Sequence, residues 1–95
     1  MENELLRKYI IELLFFSVEF VNPTIREIIS HNSELGLLET YLNNRLQFPI
    51  DDIDKYIITN YKKYVKIDEK YNANYHSGYD DDQIFEIICR EIKIN

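Results

Sequence analysis

The sequence predicts an all-α protein: a compact bundle of about five helices in a single domain. Three observations carry that prediction. Apolar residues return at three- and four-residue steps through most of the chain, the spacing of one face of a 3.6-residue helix. Only two Gly and two Pro occur among the 95 residues, which suits long helices and short turns better than a series of hairpins. Helix-starting residues also stand just ahead of the apolar runs, at Asn22-Pro23, Asp51 and Asp80.

The first helix is expected from Glu2 or Asn3 to about Phe20. Leu5, Leu6, Tyr9, Ile10, Leu13, Leu14, Phe16 and Phe20 cover well over one of its faces. A helix apolar nearly all round is buried by several neighbours, which places this one at the centre of the bundle. Asn22 then reads as a cap, with Pro23 at the first helical position, where its missing N–H costs nothing. The short helix that follows runs to about Ser30 and turns Ile25, Ile28 and Ile29 inward. His31-Asn32-Ser33 makes the next break, and His31 reads as a helix C-terminal residue favoured by the dipole.

In the third helix Leu35, Leu38, Leu42 and Leu46 form the inward stripe, with Tyr41 beside it. Gly36 near its start costs about 1 kcal/mol against Ala, which implies close approach of another backbone. Phe48-Pro49 ends the pattern, because the residue before proline is pushed out of the helical region. Asp51 stands in the N-cap place of a fourth helix, with Asp54 three residues on. Ile53, Ile57 and Tyr61, with Tyr56 and Tyr64 alongside, form its stripe, which extends to about Lys66. Ile67 to Tyr79 has no clear period and reads as an irregular connector containing Tyr71, Tyr75 and Tyr79. Long connectors in compact domains tend to carry function. The last helix opens with Asp80 as cap, Gln83 as its capping-box partner and Tyr79 stapled against Ile84. Asp81 and Asp82 fall in its first turn, where the dipole favours negative charge. Ile84, Phe85, Ile87, Ile88, Cys89 and Ile92 face the core.

The charge balance narrows the function classes. Seventeen acidic residues against eleven basic give a net charge of -6. A nucleic-acid binder would carry the opposite sign, since phosphate neutralisation supplies most of its affinity, so no direct nucleic-acid binding is expected. An acidic surface suits a basic protein partner, such as a nuclease with a cationic cleft. The most apolar run, Tyr9 to Val21, contains Glu12 and Glu19 and is well short of the about 20 residues a membrane span needs. The opening Met-Glu-Asn-Glu lacks the basic start of a signal peptide, so no membrane association and a cytoplasmic location are expected. One cysteine forms no intramolecular disulfide and fits a reducing compartment.

Chemistry-bearing patterns do not emerge. One Cys and two distant His make no zinc site, and DDIDKY and YDDDQI lack the ligand order of a calcium loop. A Cys89–His76 nucleophile pair is disfavoured, because an apolar helix face raises a thiol's pKa. Neither a catalytic centre nor a cofactor is expected. Two acidic clusters remain, Asp51/Asp52/Asp54 and Asp80/Asp81/Asp82, the second beside Tyr75 and Tyr79. Capping a helix needs one aspartate, not three, and tyrosine beside carboxylates is a common make-up of a binding surface. These eight residues are the candidate partner contacts, and Glu39 is a further one.

The run from Ile25 to Leu46 resembles the core of the MafI-type immunity proteins, small helical partners of secreted polymorphic toxins. Glu34, Gly36, Leu38-Glu39, Leu42 and Leu46 carry the resemblance, followed by the acidic turn and helix of Asp51 to Ile57. The similarity extends from about Ile25 to Ile67. Tyr41-Leu42 departs from the Leu-Cys often found there in the family. The resemblance implies a non-enzymatic inhibitor whose cognate toxin is a ribonuclease, the EndoU type among those the family meets. Two other readings fit the residues. One is an element- or phage-encoded acidic inhibitor of a defence nuclease, and the other is a non-catalytic adaptor subunit.

Overall fold

A computed structural model describes residues 2–45, 47–68, 73–76 and 78–93. Five α-helices lie among them: α1 (Glu2–Ser17), α2 (Ile25–Ser30), α3 (Ser33–Asn43), α4 (Ile50–Asn60) and α5 (Asp81–Ile92). The protein is a compact helical bundle. A 3₁₀ turn at Tyr61–Lys63 leads from α4 into a small antiparallel hairpin of β1 (Val65–Asp68) and β2 (Ala73–His76).

The first helix is central, as its all-round apolar pattern requires. It packs against α2, α3, α4 and α5, and Leu6, Tyr9, Ile10, Leu13 and Leu14 are fully buried. Around it the core gathers Ile28, Leu35, Leu42, Ile53, Ile57, Ile84 and Ile88. The expected stripe residue Leu46 lies outside the described residues, and so does Tyr71. Ser17 ends α1 and is also buried. It satisfies its hydroxyl by donating to the Leu13 carbonyl at 2.6 Å, the local bond that lets a serine sit inside a helix end.

Helix starts agree with the sequence in one place and depart from it in two. Asp80 and Gln83 form the expected reciprocal capping box, at 2.8 and 3.0 Å. Asp80→Ala is therefore expected to destabilise the protein by roughly 1 kcal/mol, a loss that urea unfolding would read. At α2 the cap is Thr24, not Asn22: the Thr24 hydroxyl accepts from the Glu27 amide at 3.1 Å. Asn22 instead adopts a left-handed backbone, φ 53°, a conformation asparagine tolerates better than most residues. It turns the chain out of α1 and leaves Pro23 buried ahead of the helix. At α4 the position ahead of the first helical residue is Pro49, which makes no side-chain cap. Burial of Phe48 and Ile50 draws the chain into the core two residues early, so Asp51 lies inside the first turn and caps nothing.

Three further expectations are corrected. The fourth helix ends at Asn60 and not near Lys66. Val65 and Lys66, read as the end of that helix, open β1, and the segment read as irregular holds the rest of the strand pair, whose register sets Val65 opposite His76 and Lys66 opposite Tyr75. A two-stranded ribbon is marginal alone; the buried Val65 anchors this one to the bundle. The neighbour close to Gly36 is a side chain and not a backbone: a Cβ there would lie 3.3 Å from Ile29 Cγ2.

Candidate partner-binding site

The two acidic clusters meet different fates. In the first, Asp51 and Asp52 are exposed in the opening turn of α4. Asp54 is not on that surface. One helical turn after Ile50 its side chain shares the inward face with Ile53 and Ile57, and it is only 7% exposed. There it accepts a 2.6 Å hydrogen bond from the Tyr9 hydroxyl of α1. Burial is the main cause that pushes the Asp54 carboxyl up to about 6, aided by Glu39 and Asp51; the Tyr9 bond and Arg26 oppose it. Burial likewise holds the Tyr9 hydroxyl far above the ordinary tyrosine range, helped by the facing Asp54 carboxylate. Tyr9 thus remains an O–H donor at any physiological pH.

The second cluster is largely answered within the chain. Asp80 is occupied as the cap of α5. Arg7 of α1 donates from Nε to Asp82 at 2.9 Å and approaches Asp81 at 3.8 Å. Asp80, Asp81, Asp82 and Arg7 line one shallow groove. These pairs are solvent-exposed, so each is worth roughly 0–1 kcal/mol in stability, yet they lower the charge this corner offers to a partner. Tyr79 is partly exposed, with its ring 6.1 Å from that of Tyr64. Tyr75 stands in β2 opposite Lys66.

Glu39 is no open contact either. It lies against Arg26 of α2, which donates to it, and its side chain is mostly buried. A second groove, open on one side, joins the α1–α2 link to α4. Pro23, Thr24, Arg26, Asp51, Asp54 and Lys55 line it. Beyond Ile58 the groove becomes apolar, with Val18, Phe20 and the 90% exposed Val21 along it.

Of the sequence-derived contacts, the fold therefore leaves Asp51, Asp52 and Tyr79 open to solvent, engages Asp54, Asp80 and Glu39, and pairs Asp81 and the still exposed Asp82 with Arg7. Tyr9, Arg26 and Arg7, the partners of Asp54, Glu39 and the Asp81–Asp82 pair, were missed. Arg7 and Asp82 are 75 positions apart, and no spacing rule links them. Tyr9 did carry a signal: a tyrosine in a buried stripe must find a partner for its hydroxyl. Cys89 is only partly buried, and burial pushes its thiol up, which disfavours a thiolate nucleophile. Among the described residues, no group of three His, Cys, Asp or Glu side chains could hold a metal ion, and no helix is long and apolar enough to cross a membrane. Compared with protein-family models, curated proteins and solved structures, the chain matches none of them.

Proposed function

We propose that this protein is a non-enzymatic inhibitor that binds and neutralises a basic partner. The reading extends to a cognate secreted toxin of ribonuclease type, in the manner of the MafI-type immunity proteins it resembles between about Ile25 and Ile67. One observation carries it. Asp51 and Asp52 are exposed and cap no amide in a chain of net charge -6; the dipole of α4 favours negative charge in its first turn, and both carboxylates stay open to a partner. A ribonuclease cleft must present cations to phosphates, and carboxylates held at a fixed helix start can occupy those positions. Fixed charges of this kind act chiefly on the rate of encounter.

The test uses the candidate toxin, taken as the product of the adjacent gene, and measures association at low ionic strength. The double substitution Asp51→Lys with Asp52→Lys is expected to slow association about tenfold or more. The difference should shrink as salt is raised, with the circular dichroism of the fold unchanged. Equal association rates at low salt would remove α4 from the interface.

A further inference from the structure

The Tyr9–Asp54 pair is used neither for capping nor for the exposed surface, and its placement is unusual for a carboxylate. It spans the crossing of α1 and α4, with Tyr9 fully buried and Asp54 nearly so. We infer that this pair is a proton-linked clasp: the bundle takes up a proton at Asp54 as it folds, so the stability of the whole fold, though not the Tyr9 bond itself, is greatest in mildly acidic surroundings.

The charges facing Asp54 explain why a proton is favoured there. From α1 comes the Tyr9 hydroxyl, the one neutral donor. From α3 comes the Glu39 carboxylate and from α4 itself Asp51, both of which disfavour a second negative charge. The cation from α2, Arg26, favours the charged form, but its guanidinium is bound to Glu39. Lys55 shares the groove wall. Burial and two carboxylates thus outweigh one donor and one committed cation. The groove also gives the site an outer edge, since Asp54 lines it with Thr24, Arg26 and Asp51. Protons can exchange with solvent along that edge without global unfolding.

The sign follows from linkage. An aspartate in the unfolded chain titrates near 3.9, and folding raises Asp54 to about 6. Between these values the folded state binds more protons, so stability falls as pH rises from about 4 to about 6 and stays level above that. From this group alone the folding equilibrium constant should drop roughly a hundredfold across that window.

Two measurements test it. In urea unfolding at several pH values, the wild type is compared with Asp54→Asn, which keeps an acceptor for Tyr9 and cannot ionise. The ratio of their folding constants is expected to fall by roughly a hundredfold between pH 4 and pH 7.5. A ratio independent of pH would overturn the inference. Should Asp54→Asn fail to fold, the wild type alone decides through its carboxyl carbon-13 shifts. A buried aspartate titrating near 6 supports the clasp, and all aspartates titrating at or below about 4 would overturn it.

Discussion

Leu13→Ala is expected to destabilise the bundle by roughly 2–5 kcal/mol. The side chain is fully buried in the helix that every other helix packs against. Its removal leaves a cavity at a helix held between its neighbours, where the surroundings can collapse only in part. Small domains stand about 5–15 kcal/mol above their unfolded state, so this single change consumes a large share of the total. The melting temperature should drop by at least about 8 °C, taking about 4–8 °C per kcal/mol at this size. In urea the midpoint should move down with the slope unchanged. Phe16→Ala makes the control. The apolar pattern places Phe16 in the core like Leu13, but in the fold it packs on the core's edge and keeps part of its ring in solvent. Its truncation should cost clearly less than that of Leu13. Equal losses would mean that the two burials are misjudged.

Tyr9→Phe is the second large effect, and its size depends on pH. The ring is retained, so no large cavity forms. What disappears is the hydroxyl that donates to Asp54 at 2.6 Å. At pH 8 Asp54 is ionised, and the substitution leaves a buried carboxylate without that donor, at a cost of roughly 1–3 kcal/mol. The same bond is one of the influences that hold the Asp54 pKa down, so in the variant that pKa rises further above about 6. At pH 5 Asp54 is already protonated, the bond lost is one between neutral groups, and the loss should be smaller. Chemical unfolding of both proteins at pH 5 and pH 8 gives the two differences. A loss of the same size at both would show that the hydroxyl does not serve the charged form.

The sequence by itself determined the helical architecture. Periodic leucines and isoleucines dictated which faces turn inward, and the all-round apolar pattern of Leu5 to Phe20 dictated that α1 sits in the middle. Local chemistry was legible where a helix start is governed by its own few residues. Asp80 and Gln83 form their capping box because both partners lie within one turn. The alternation in Val65-Lys66-Ile67 is too short to stand out beside the helix before it, so the hairpin was not legible.

Tertiary structure alone decided the fate of the charges. Asp51, Asp52 and Asp54 are near-identical as letters, yet burial of Ile50 shifts the start of α4 and sets the rotation of the helix. Two carboxylates then face water and the third faces Tyr9. Arg7 meets Asp82, and Arg26 meets Glu39, only because distant helices pack side by side. The physical reason is one of range. Hydrophobic periodicity and capping act over about one helical turn and can be read along the chain, whereas the environment of a charge is set by whichever surfaces folding brings against it.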